Sequence, residues 1–338
     1  MKIAIDLNGG DFAPKAVIKG LELALKYRYV LPEELVALGT GQAIALMHKE
    51  RKLAKILVLE SPEAIGMGDS AEEIRRKRRH STINSGLIGI KQRKFDAFVS
   101  AGNTAAIVML SNVTLARIHS QIRPAIAVPL PNEVGPCLIL DAGAIPQASD
   151  IDLVNCARMG SIYVREIWGV DKPIIRLFNI GREESKGNEI QQRAHQALEF
   201  LSDDGWLDFQ GNIEGDAIYS EPVNVICCSG EIGNTVIKVS EGIIKLVSDK
   251  LGIFWKLFRF FYTHHKKTDS EEVGGAIILG LDGIVIKAHG KSRPLGIANA
   301  IRRAKTEIAA GIIDTMRQAI EDEEKNNNDK EETPVQQI

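Results

Sequence analysis

The sequence predicts a doubly wound α/β fold, and three observations carry that prediction. Short apolar runs alternate with segments of helical period along most of the chain. Runs such as KIAIDL and KILVLE are apolar on both faces, as in parallel strands covered by helices on two sides. The stretches that follow these runs are rich in glycine and asparagine, and in open α/β sheets ligands bind beyond the carboxyl ends of the strands.

In chain order, KIAIDL (2–7) reads as the first strand, and 14–27, opening at a proline, as the first helix. The apolar runs 35–39 and 55–60 read as the next two strands, with a helix over 41–51 between them. Segments 71–79 and 82–93 read as two further helices. DAFVSA (96–101) reads as a strand leading straight into a helix over 103–117. Strands at 125–130 and 136–141 precede a helix over 151–168. Strands at 173–179 and 223–228 each lead to a helix, over 189–201 and 233–250. Residues 321–338, EDEEKNNNDKEETPVQQI, hold no aromatic and predict an acidic, disordered, solvated tail after a single domain over 1–320.

Composition fits this picture. The 338 residues are 44% hydrophobic and 25% charged, enough for a sizeable core and incompatible with global disorder. Formal charge is −2, with −5 in the tail and so +3 in the body, which excludes bulk polyanion binding. Cys137, Cys156, Cys227 and Cys228 form no CxxC pair, so buried reduced thiols are expected rather than a disulfide framework or zinc site. The opening MKIAIDLNGGD predicts no export signal, and no apolar run reaches 18 residues, so a cytoplasmic location is expected.

Five loops can carry chemistry: DLNGGDFAPKA (6–16), SAGNTAA (100–106), NIGREESKGNE (179–189), GNIEG (211–215) and SGEIGNTVIK (229–238). Glycine lets a backbone approach an anion, helix-opening amides donate to it, and asparagine and lysine add side-chain donors. Converging on one crevice, such loops would make a phosphate or oxyanion pocket; singly, each reads as a turn before it reads as a ligand site. The dinucleotide, P-loop, nucleophile-elbow and HExxH patterns are all missing.

These motifs, with RRKRRHST, RPAIAVPLP, DAGA and GGAIILGLDGIVIKAHGKS, resemble in order and spacing the bacterial PlsX family of acyl-carrier-protein:phosphate acyltransferases. The resemblance runs from residue 2 to about 310. It implies a three-layer α/β/α sandwich with a mostly parallel sheet, related to phosphotransacetylases and isopropylmalate-type dehydrogenases and generally dimeric. It implies transfer of a long fatty acyl group from acyl carrier protein to inorganic phosphate, with no metal or organic cofactor. A membrane glycerol-3-phosphate acyltransferase would then use the acyl phosphate.

On that resemblance Lys186, Asn188 and His289 are the candidate catalytic residues. Lys186 would neutralise phosphate, and His289 would either protonate the leaving thiolate or be structural. Gly9, Gly10, Asp11, Lys77, Asn103, Thr104, Arg123, Asn212, Asn234 and Lys238 are candidates for holding phosphate or substrate. The chain departs from the family pattern at Phe12, His80, Ala105, Ile145, Gln147 and Ser229, so an inactive scaffold of the same fold is an alternative, as is a transacylase using a coenzyme A thioester.

Two surfaces stand out. Arg75 to Arg79 form a basic run with no interleaved aromatics, which argues against a nucleic-acid site. It reads as a solvated helix face or as a rim that steers acidic acyl carrier protein. Residues 251–267, LGIFWKLFRFFYTHHKK, are aromatic and basic. Phe254, Trp255, Phe258 and Phe261 would lie in a lipid headgroup layer, making the protein peripherally membrane-associated, or pack in a core or homodimer contact.

Overall fold

The computed structural model describes the backbone of residues 1–263 and 274–332; the side chains of 248, 249, 251–263, 324 and 327–332 lie outside the description. Eleven strands form one sheet: β1 (Ile3–Asp6), β2 (Leu35–Gly39), β3 (Leu57–Glu60), β4 (Ala97–Ser100), β5 (Ala125–Leu130), β6 (Cys137–Leu140), β7 (Ile174–Phe178), β8 (Asp208–Ile213), β9 (Val225–Cys227), β10 (Ala276–Leu279) and β11 (Ile284–Lys287). Their order is β3-β2-β1-β4-β11-β10-β5-β6-β9-β7-β8. Most neighbours are parallel; β10 runs antiparallel to both β11 and β5, and β5 antiparallel to β6. Strands β6, β9, β7 and β8 therefore run opposite to β1, β4 and β11.

The helices are α1 (Lys15–Lys26), α2 (Gly41–Met47), α3 (Ala71–Lys77), α4 (Thr82–Lys91), α5 (Thr104–Thr114), α6 (Asp150–Trp168), α7 (Glu189–Asp203), α8 (Gly230–Thr263), α9 (Pro294–Ala309) and α10 (Ile312–Glu332). Alternate strand residues feed two faces, which makes the three layers. Ile3, Ile5, Ala97, Val99, Leu138 and Leu140 pack into a core roofed by α1, α6, α7, α9 and α10. Ala4 and Phe98 face a second core under α4 and α5, and Ile139 a third under the start of α8. This is the burial on both faces that KIAIDL requires; KILVLE departs from it, because β3 is an edge strand that leaves Leu57 and Leu59 exposed.

The expected solvated tail is corrected where it starts. Helix α10 continues to Glu332, and buried Glu323 accepts from Arg158 of α6 at 2.6 Å. The physical reason is that Ile312, Met316 and Ile320 dock the helix, and Arg158 neutralises the acid that faces inward. Residues 333–338 lie outside the described residues.

A polar triad lies inside the first core. Buried Arg303 of α9 donates through Nε to Glu307 Oε1 at 2.8 Å and through Nη2 to Tyr163 Oη at 2.8 Å; Tyr163 in turn donates to Glu307 at 2.7 Å. Burial raises the Glu307 carboxyl above its usual range, with Arg303 opposing the shift. All four cysteines are buried free thiols, as expected. Burial pushes the Cys137 thiol up to about 12, and those of Cys156, Cys227 and Cys228 also well up.

Candidate active site

The register of the central strands sets three polar side chains in a row. Ile5 pairs with Val99, so Asp6 and Ser100 follow side by side, and Lys287 of β11 pairs with Ser100. All three lie on the face that holds Ala4, Phe98 and Val285, at the carboxyl ends of their strands. The buried Asp6 carboxylate accepts from Ser100 Oγ at 2.7 Å and from the Asn8 amide at 3.0 Å; Ser100 Oγ accepts from the Gly102 amide at 3.0 Å. Burial raises the Asp6 carboxyl above its ordinary value, against hydrogen bonds from Ser100, Thr82 and Asn8.

This network fixes the turn that opens α5. Asn103 is its N-cap, accepting from Ala106 N at 3.1 Å, while its amide donates to Gly66 O and Met67 O. With Ala106 satisfied, the amides of Thr104 and Ala105 have no acceptor among the described residues, so the α5 terminus presents donors and positive potential. Gly9 packs against the same turn: a Cβ there would sit 2.7 Å from the Gly102 nitrogen and 2.8 Å from Ser100 Oγ. Gly10 takes φ +104, and Asp11 N donates to Gly290 O at 2.8 Å, joining this loop to the one after β11.

Helix α8 forms the opposite wall. Gly233 sits against the Asp141 carbonyl, and Asn234 faces Gly143. One turn on, Lys238 Nζ donates to Glu241 at 2.8 Å, and His289 Nε2 lies 3.2 Å from the other Glu241 oxygen. His289 Nδ1 accepts from the Lys291 amide at 3.1 Å, so Nε2 carries the ring proton and donates to Glu241. Burial, then the charge of Lys287, holds His289 below its usual pKa and therefore neutral at pH 7. Burial also works against the Glu241 anion, but Lys238 and His289 hold its carboxyl below the ordinary value. Lys287 is the residue that motif reading missed. Burial, then the charge of Lys238, draws its amine down to about 8, with Glu241 opposing. A lysine closing the apolar strand IVIK was the available signal.

Several expected residues are placed differently. Lys77 pairs with Asp69 at 2.7 Å, and Asp69 also accepts from the Gly66 amide, so Lys77 braces the loop beneath Asn103. Asn188 caps α7 in a reciprocal box with Gln191, each accepting from the other's amide at 3.0 Å. Lys186 is exposed in the same loop; its carbonyl accepts from Asn179. Asn212 donates to Glu183 O at 2.9 Å and accepts from His195. Arg123 pairs with buried Asp152 at 3.0 Å and lines a cavity of about 470 Å³ with Arg117, Gln121, Gln147 and Ser149. Among the described residues, no hydrogen bond or ion pair joins the Lys186–Asn212 group to the α8 crevice, so the five loops form more than one cluster. The reversal of strand direction through β10, β5 and β6 separates them.

Phe12 is exposed beside Asp11, whereas Ile145 is core. The side chains of Phe254, Trp255, Phe258 and Phe261 lie outside the described residues, as do residues 264–267; the α8 backbone continues through Thr263. Among the described residues, no helix is long and apolar enough to cross a membrane.

Comparison with known proteins gives a consistent result. A family described as fatty acid synthesis protein matches residues 1–315. A phosphate acyltransferase of Thermoanaerobacter pseudethanolicus is 36% identical over 332 residues, covering 95% of this chain and 98% of that one. One from Clostridium novyi is 35% identical over 338 residues, covering 95% and 99%. Among solved structures, a branched-chain phosphotransacylase from Enterococcus faecalis aligns with TM-score 0.57 at 13% identity, covering 91% of this chain and 99% of that one. A phosphotransacetylase from Streptococcus pyogenes aligns with TM-score 0.56 at 16% identity, covering 95% and 94%. The expected three-layer fold is thereby borne out.

Proposed function

Because this chain belongs to the PlsX family of fatty acid synthesis proteins and is, like its phosphate acyltransferase relatives, an acyltransferase, we propose that it moves a long fatty acyl group from acyl carrier protein to inorganic phosphate. The acyl phosphate then feeds phospholipid synthesis. The row Asp6–Ser100–Lys287 beneath the α5 terminus, facing Lys238, supports this reading most directly. It offers amides and two amines to a dianion in a partly desolvated crevice.

Phosphate is a sufficient nucleophile at neutral pH, so the site's work is orientation and charge. Lys287 and the Thr104 and Ala105 amides hold the phosphate against the thioester carbonyl. A P–O–C bond forms, the carbonyl oxygen becomes an oxyanion, and the C–S bond breaks on its collapse. Lys238 stands beside Glu241 and His289 to meet the departing thiolate. His289, neutral and donating to Glu241, positions that carboxylate.

Acyl carrier protein docks at the exposed arginines of the Arg75–Arg79 run, beside the Gly66–Met67 loop that is bonded to Asn103. Membrane contact and homodimer contact are read from the far part of α8. Val239, Ile243, Ile244 and Leu246 are exposed on it and lead into the aromatic–basic stretch. The test is direct: purified protein, long-chain acyl-ACP and inorganic phosphate, with free carrier and acyl phosphate followed by mass spectrometry. Phosphate-dependent release is expected. No release, with an active relative alongside, overturns the proposal in favour of a scaffold.

A further inference from the structure

Glu184, His195 and Glu199 bring three ligand atoms within 4.8 Å of one another, away from the α8 crevice. His195 is 2% exposed on α7, with the Phe209 ring edge-on at 5.1 Å, so its imidazole has little water to bond. Its tautomer follows from its neighbour. Asn212 must turn its NH₂ to the Glu183 carbonyl at 2.9 Å, because that carbonyl can only accept. The Asn212 oxygen then faces His195 Nδ1 at 3.1 Å, so Nδ1 carries the proton. In the neutral ring Nε2 is a bare lone pair, and it faces Glu199 Oε1 at 3.2 Å. Two acceptors aimed at each other need a proton or a metal cation between them, and Glu184 brings a third ligand atom that a proton would leave unused. This is the reverse of His289, whose proton sits on Nε2 and points at its carboxylate.

We propose that Glu184, His195 and Glu199 bind one divalent transition cation of the zinc class. Two ligands on a tetrahedral zinc with bonds of about 2.0–2.1 Å lie about 3.3 Å apart, close to the Nε2–Oε1 spacing. One imidazole and two carboxylates suit such an ion, and the Asn212 contact to Nδ1 is the outer partner that ligating histidines use. His195 and Glu199 sit one helical turn apart, and Glu184 comes from the loop that carries Lys186. The ion therefore clamps that loop to α7, with open positions left for water.

The experiment uses the full chain, stripped with chelator, titrated with ZnCl₂ by calorimetry and followed by thermal melting, with MgCl₂ as comparator. One zinc per chain is expected, with a rise in Tm that magnesium does not reproduce. His195→Gln and Glu199→Gln should each weaken zinc binding by more than the roughly 10–100-fold typical of losing an outer partner. Glu199 is half exposed, so its variant keeps the test usable if His195→Gln does not fold. Absence of saturable zinc binding, or binding unchanged in Glu199→Gln, overturns the proposal. An imidazolium–carboxylate pair, seen as melting that responds to acid and not to zinc, also overturns it.

Discussion

Lys287 stands opposite Ser100 in the parallel pairing of β11 with β4, so an amine and a hydroxyl share one level of the sheet beneath the α5 terminus. Ser100 is tied to buried Asp6, and Lys287 has no ion-pair partner among the described residues. The amine is thus positioned by strand register rather than by a bond to a neighbouring acid.

Replacing this amine separates it from the other lysine candidate. Lys287→Met should lower kcat/KM for phosphate by about 10²–10³-fold, as loss of one preorganised charge-stabilising group does. Lys186→Ala, in the loop beside Asn212, should leave more activity than Lys287→Met while leaving Tm unchanged. Steady-state kinetics on both variants decides it; the reverse ranking would move the phosphate to the Lys186 loop.

The pH dependence of stability follows from the depressed amine. Lysine in the unfolded chain titrates near 10.5, and Lys287 in the fold at about 8. Between those values the unfolded chain holds the extra proton, so unfolding free energy rises with pH from about 8 to 10.5. Below 8 the cost of the partly buried ammonium is present in full. Wild type should therefore gain stability relative to Lys287→Met across that window, measured by denaturant melts at each pH. Parallel curves would mean that the Lys287 amine is not lowered in the fold.

Activity should move the other way. Phosphate binding that uses the ammonium weakens as Lys287 loses its proton, so KM for phosphate should climb above pH of about 8. Lys287→Arg, with a group that stays charged, should flatten the climb even where its kcat is lower.

Gly9→Ala tests the close approach of two loops. Its Cβ would lie 2.7 Å from the Gly102 nitrogen, so backbone must shift. A loss of about 1–3 kcal/mol in stability is expected. KM for phosphate should rise as well, because the α5 turn moves; a melt combined with kinetics checks both.

The Arg303–Glu307–Tyr163 triad gives a control away from the crevice. Glu307→Leu leaves Arg303 buried without its acid and should cost about 3–5 kcal/mol. The kcat of the fraction that remains folded should hold, as read from activity per folded molecule.

Much of the fold was legible in pattern. Most of the eight anticipated strands and their helices form because their apolar residues serve the cores on both faces of the sheet. Three strands were not legible. β8 is interrupted at Gly211, which takes φ +79, and its pairing with β7 slips by a residue, so no clean alternation exists. β10 and β11 are four-residue strands set among glycines, and pairing with β5 and β4 makes them regular. Glycine-rich loops pointed to Asp6–Asp11 and to SAGNT, which the fold brings against each other. They could not say which loops meet, because that depends on the antiparallel strands at the middle of the sheet. Asn188 and Asn103 show a related ambiguity: an asparagine before a helix is chosen by capping whether or not it also touches a ligand.

An enzyme that handles thioesters risks acylating itself through any exposed thiolate. Here the four thiols sit inside the protein, and burial keeps each protonated far above neutral pH. The thioester proposed for the crevice would meet amines, amides and a hydroxyl but no competing sulfur nucleophile. The proposed transfer to phosphate would then lose no acyl group to a cysteine of the protein itself.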